Sequence, residues 1–199
     1  DLVNRKAVKK LSIVAKELDI KLIHISTDYV FDGKNFKPYV EEFQTNPQSV
    51  YGKTKLDGEN ELLDINPLNS IIIRTSWVYS YYGNNFVKTM LRLGSERDVL
   101  SVVNDQIGTP TNAVDLAKAL LEIIKSDKKD FGIYNYSNEG QCSWYDFAKK
   151  IFEINKIEID LQPIPTLAYP TPAKRPAFSV LDKSKIKKVF GVEILEWEE

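Results

Sequence analysis

The chain has 199 residues, 43% hydrophobic and 28% charged, with a net charge of −1 at pH 7. That balance describes a globular protein of one compact domain, at most with a smaller lobe, and excludes a disordered chain. Interspersed charge of both signs speaks against a nucleic-acid partner. A single cysteine (Cys142) and a single histidine (His24) leave no internal disulfide and no histidine metal site, and no apolar run approaches the roughly 20 residues of a membrane span.

In chain order, Val3, Ala7, Leu11, Val14, Ala15 and Leu18 recur at three- and four-residue spacings, which predicts an amphipathic helix over Val3–Leu18. Lys21–Ser26 reads as a short apolar strand, followed by a loop rich in Asp, Gly, Asn and Pro up to about Pro47. Ser49 is placed to cap a helix running to about Ile65, with Pro67 just beyond it. Ser70–Arg74 is a β-branched run suited to burial on both faces of a parallel sheet. Helices are predicted for Asn85–Ser95, Asn112–Lys125, from Ser143 to Phe152, and near Lys183–Phe190; strands are predicted for Val99–Val103 and Gly132–Tyr136. Pro163–Pro176 reads as a proline-studded loop. Alternation of this kind implies an α/β fold with a helix-covered parallel sheet.

The sharpest chemical signal is Tyr51-Gly-Lys-Thr-Lys55. Four-residue spacing on a helix stacks the phenol and the ammonium on one face. A cation there favours the phenolate, so a lowered Tyr51 pKa and a role in proton transfer are expected. Taken alone, the pair is more often bland than catalytic. Upstream stand Ser26, Thr27 and Asp28 at the carboxyl end of a strand, where ligands of open α/β sheets sit. A Thr27 hydroxyl beside the Tyr/Lys pair completes a trio able to polarise a carbonyl, whereas Asp32-Gly33 reads as a tight turn.

The ordered runs His24–Gly33 (HISTDYVFDG), Tyr51–Glu59 (YGKTKLDGE), Arg74–Tyr79 (RTSWVY), Asn84–Leu91 (NNFVKTML), Asn104–Thr111 (NDQIGTPT) and Tyr169–Pro176 (YPTPAKRP) resemble the dTDP-4-dehydrorhamnose reductase branch of the extended short-chain dehydrogenases/reductases. The resemblance implies a Rossmann-type parallel sheet with helices on both faces plus a smaller α/β substrate lobe. It implies NADPH- or NADH-dependent reduction of the 4-keto group of dTDP-4-dehydro-L-rhamnose to dTDP-L-rhamnose. Tyr51 would be the general acid, Lys55 the holder of the nicotinamide ribose, and Thr27 a second donor to the carbonyl oxygen. Ser26, with Tyr51 and Lys55, would line the cofactor. Thr27, Asp28, Trp77, Asn104, Gln106 and Arg175 would contact substrate. Trp77 reads equally as a core aromatic and Arg175 equally as a solvated surface residue. An arginine does suit a diphosphate, in a loop stiffened by Pro170, Pro172 and Pro176. His24 reads as a packed core residue and Cys142 as a small, partly buried one. A cytoplasmic setting, a homodimer and magnesium in the full-length protein complete the implied picture.

One feature departs from that branch. The nine glycines come no closer than Gly52 and Gly58, so no glycine-rich dinucleotide fingerprint can be drawn. The chain also opens on Asp1, and its one methionine is Met90. The expectation is therefore a C-terminal portion, inactive alone. Residues 1–75 would be the second part of an NAD(P)-binding Rossmann domain. Residues 76–199 would be mainly substrate lobe, with a return to the sheet around 109–136. A competing reading is a non-catalytic binding subunit of the same fold, like the regulatory subunit of methionine adenosyltransferase; intact Thr27, Tyr51 and Lys55 favour the enzyme.

Overall fold

The computed structural model describes residues 1–171, 173 and 175–199; Pro172, one of the three prolines credited with stiffening the loop, lies outside them, as does Lys174. Leu2–Ala7 wind as a π-helix into α1 (Val8–Glu17), which is followed by β1 (Leu22–Thr27), α2 (Val50–Ile65) and β2 (Ser70–Thr75). Then come β3 (Val78–Tyr79), α3 (Phe86–Glu96), β4 (Val99–Val103), β5 (Ile107–Gly108) and β6 (Thr111–Asn112). The rest of the chain forms α4 (Ala113–Lys125), β7 (Gly132–Asn135), β8 (Cys142–Ser143), α5 (Trp144–Asn155), β9 (Asp160–Ile164) and α6 (Ser184–Phe190).

The main sheet is parallel in the order β1-β2-β7, with Leu22 opposite Ser70, Thr27 opposite Thr75 and Ile71 opposite Gly132. Side chains alternate across it, as the period-2 pleat requires. Ile23, Ile25, Ile71, Ile73 and Tyr134 pack against α4 and α6, while Leu22, Ile72 and Ile133 pack against Val8 of α1 and Leu62 of α2. Ile71, Ile72 and Ile73 are completely buried, which is why this strand shows an unbroken apolar run. Among the described residues β1 is an edge of this sheet.

A second core lies in a smaller lobe. Met90 of α3, Leu100 and Val102 of β4, and Phe147, Ala148, Ile151 and Phe152 of α5 form it together with the buried Cys142. Burial holds the Cys142 thiol well above its ordinary pKa, so it is a packing residue rather than a reactive one.

Two local expectations need correction. In α1 the buried positions are Val8, Ser12 and Ala15, whereas Val3, Leu11, Val14 and Leu18 are exposed. The stripe that touches α2 is set by that partner and not by the most apolar side. Pro163 lies inside β9, opposite Val102 of β4, rather than in a loop. A proline is tolerated there because, among the described residues, β9 pairs on one side only.

Candidate active site

The cleft is built at the carboxyl end of β1. Thr27 ends the strand in extended conformation, and its Oγ1 accepts from the Tyr29 amide at 3.2 Å, starting a short 3₁₀ turn at Asp28. The same hydroxyl donates to Asp28 Oδ1 at 3.0 Å. Asp28 is buried and its Oδ2 has no protein partner. Burial pushes its carboxyl up to about 6, against the opposing effect of hydrogen bonding. The buried Ser179 hydroxyl stands beside that carboxylate and eases its ionisation, although the two fall short of a formed hydrogen bond. Nothing in the sequence marked Ser179.

Helix α2 brings the other groups. Ser49 Oγ accepts from the Gly52 amide at 3.0 Å, as its N-cap position predicts. Gly52 is the residue that lets the first turn close on the loop: a Cβ there would lie 2.1 Å from the Tyr29 carbonyl oxygen. Tyr51 therefore meets Tyr29 edge to face, with ring centroids 5.7 Å apart, and the Thr27 hydroxyl stands near enough to its phenol to ease ionisation, although the two fall short of a formed hydrogen bond. Lys55, one turn further on, donates to the Ile25 carbonyl at 2.5 Å and faces His24 Nε2 at 3.4 Å. Thr27, Tyr51 and Lys55 thus share one end of one strand.

The expected lowering of the Tyr51 pKa does not occur. Burial raises it, the Asp28 charge raises it further, and only the nearby Thr27 hydroxyl opposes them. Lys55 is turned to Ile25 and His24, and its own pKa is lowered by burial, with Glu59 opposing. The phenol accordingly holds its proton through the neutral range.

Ser26 is not brought to this cleft. The pleat sends it to the face opposite Thr27, where its buried hydroxyl donates to the Glu59 carboxylate. Glu59 in turn pairs with Arg74 at 2.7 Å, both side chains almost fully buried, and Arg74 Nη1 donates to the Glu41 carbonyl at 3.0 Å. The network ties β1, α2 and β2 together beneath the site.

The remaining sequence candidates lie on other segments. Trp77 has a left-handed φ of 47° and stacks on Trp144 at 3.5 Å. Gln106 is buried and donates to Thr166 Oγ1 at 3.0 Å, while Asn104 is exposed and its amide donates to Ile164. Arg175 is exposed and near enough to lower the Tyr29 pKa, against the larger effect of burial; with Gln48, Ser49 and Pro176 it lines a recess beside Tyr29. Gly33, with φ 73°, sits directly under Pro176 and so holds this loop against the cleft. Among the described residues no group of three or more acidic, His or Cys side chains is arranged around a metal ion, so magnesium finds no ready ligand set there. No helix among them is long and apolar enough to cross a membrane.

Residues 1–199 match the family model described as RmlD substrate binding domain. The chain is 47% identical to a dTDP-4-dehydrorhamnose reductase of Sinorhizobium fredii over 99% of its own length and 69% of that relative's. Among solved structures it is similar to a dTDP-4-dehydrorhamnose reductase of Clostridium acetobutylicum, with 46% identity and a TM-score of 0.93 over 98% of this chain and 68% of that one. It is also similar to the Bacillus anthracis dTDP-4-dehydrorhamnose reductase solved with NADP, with 37% identity and a TM-score of 0.94 over the same shares.

Proposed function

The chain belongs to the RmlD substrate binding domain family, and from that premise we propose that it carries the proton-donating and sugar-binding groups of an NAD(P)H-dependent reductase acting on the 4-keto group of dTDP-4-dehydro-L-rhamnose. The product is dTDP-L-rhamnose. The observation that carries the reading is the convergence of Thr27, Tyr51 and Lys55 at the end of β1.

The residues present fit the reactive end of a nicotinamide cofactor. Two protein groups face the Lys55 ammonium, Ile25 O and His24 Nε2, which leaves one of its three N–H donors for a ribose hydroxyl. When bound, the cofactor supplies hydride to C4 of the sugar. Tyr51, protonated at neutral pH because burial raises its pKa, gives its proton to the carbonyl oxygen. The alkoxide charge is thereby neutralised as it develops. The Thr27 hydroxyl, which rests on Asp28, rotates to the same oxygen. Asp28 and Trp77 line the sugar. Arg175 faces the diphosphate with its planar fork, and Asn104 and Gln106 serve the substrate beside it. Ser26 has no part in this scheme. The proposed setting is the cytoplasm, where nucleotide sugars and reduced nicotinamide are available.

The test is direct: the full-length protein is supplied with the 4-keto sugar nucleotide and NADPH or NADH, and the product is identified by mass and NMR. Formation of dTDP-L-rhamnose with matching loss of reduced nicotinamide is expected. Cofactor oxidation without a rhamnosyl product would defeat the substrate assignment.

A further inference from the structure

His24 lies on β1 with its ring directed to the face covered by α2, and its Nε2 is 3.4 Å from the Lys55 ammonium. An ammonium offers three donors and no acceptor, so the ring can engage it only through a bare Nε2 lone pair, with the ring proton on Nδ1. The Ile25 carbonyl takes a second donor at 2.5 Å. These two acceptors come from consecutive residues of one strand, one a side-chain ring nitrogen and the other a main-chain carbonyl. Together they fix the ammonium as a bracket would, and one of its three N–H groups is left without either acceptor. A flexible four-carbon stem carries much rotamer freedom; two fixed acceptors remove most of it before any ligand arrives.

We propose that His24 is a positioning residue for the reaction: neutral His24 accepts a hydrogen bond from Lys55 and so aims the remaining ammonium proton at the ribose of the nicotinamide cofactor. The inference rests on the reading of Lys55 as the ribose holder. A packed core histidine would need no such contact, and any apolar ring of similar size would replace it. The surroundings agree with a neutral ring. Burial and the facing Lys55 charge lower the His24 pKa to about 4, and the charged group next to Lys55 on α2, Glu59, is bound to Arg74 and Ser26 rather than to the imidazole.

Two measurements separate this role from simple packing. His24 is the only histidine of these 199 residues, and its ring resonances in the NMR spectrum of the full-length protein are identified as those lost in His24→Phe. Replacing Lys55 by Met removes the facing charge, and the His24 pKa is expected to rise above its starting value while staying below the ordinary one, because burial, the larger cause of its lowering, remains; an unmoved titration would overturn the contact itself. In steady-state kinetics, His24→Phe keeps the ring volume without the acceptor. Loss of one hydrogen bond to a charged group predicts a rise of about tenfold or more in KM for the cofactor, with KM for the sugar nearly unchanged. His24→Gln, whose carbonyl reaches a similar position, is expected to recover most of it. If Phe serves as well as His, or if Gln recovers nothing, the positioning role is refuted and packing suffices. Failure of the wild-type protein to reduce the sugar would instead remove the functional reading, and the NMR titration would still decide the contact.

Discussion

Gly52 of α2 and the carbonyl of Tyr29 are in such close contact that no side-chain carbon fits between them; an added Cβ would sit 2.1 Å from the oxygen. This contact sets how far the first turn of α2 advances over the end of β1, and hence where Tyr51 stands. Gly52→Ala should favour the helix by up to about 1 kcal/mol in intrinsic propensity, yet it must push the turn away from the cleft. A displacement of about 1 Å can cost a factor of about 10² in rate. The expected result is a well-folded protein by circular dichroism with kcat reduced at least tenfold.

Tyr51→Phe removes the proton donor and leaves the ring edge against Tyr29 in place. General acid catalysis contributes about 10²–10⁴-fold, so kcat should fall by that factor with little change in either KM. The pH profile carries a sign. Because the Tyr51 pKa is raised, the acid form persists through neutrality and is lost only as pH climbs past the ordinary tyrosine value of about 10. Reduction should therefore run on a plateau across neutral pH and decline only in the alkaline range. A decline beginning near pH 7 would show an acidified phenol and contradict the burial-dominated environment.

Asp28 should be a stability liability. Its folded pKa of about 6 lies above the ordinary aspartate value of 3.8, so below the unfolded pKa the protonated carboxyl carries no penalty. As pH rises towards 6 the buried group must ionise and stability is lost; above that the loss is constant. A shift of this size corresponds to about 3 kcal/mol at most. Asp28→Asn is accordingly expected to raise Tm at pH 7.5 but not at pH 4, while weakening sugar turnover. Equal effects at both pH values would mean that Asp28 is not desolvated.

The Glu59–Arg74 pair predicts a different outcome. Both side chains are nearly inaccessible, so removing one leaves the other buried without its partner. Arg74→Met should destabilise the protein by about 3–5 kcal/mol in urea denaturation. The double variant Glu59→Gln, Arg74→Met is expected to recover part of that loss, because the stranded charge is gone.

Helix starts were the most legible part of the sequence. Ser49, Asn85, Asn112 and Ser143 all cap through their side chains, because capping is a local interaction that a short motif specifies. The buried face of α1 was not legible. Leu11 and Val14 are more apolar than Ser12, but the face that meets α2 is chosen by a partner remote in sequence. The same limit applied to Tyr51. Four-residue spacing places Lys55 one turn away, yet Lys55 turns to Ile25 and His24 while burial, with the Asp28 charge adding to it, acts on the phenol, so the pKa moves the other way. Ser26 was readable in principle, since strand alternation alone separates it from Thr27. Ser179 carried no pattern at all; it reaches Asp28 only because its segment runs beside Ile107.

Trp77 has one more consequence. A bulky residue at φ 47° carries about 1–3 kcal/mol of backbone strain, and it is retained against the Trp144 ring, a stack worth about 0.5–1.5 kcal/mol beyond the area it buries. The two indoles belong to different parts of the molecule: Trp77 follows strand β2 of the main sheet, and Trp144 opens the lobe helix α5. Separating them forfeits the stack but lets the turn relax. The two changes oppose each other, so swinging the lobe away from the sheet costs less at this joint than the ring overlap suggests, and the joint behaves as a soft spring held under tension.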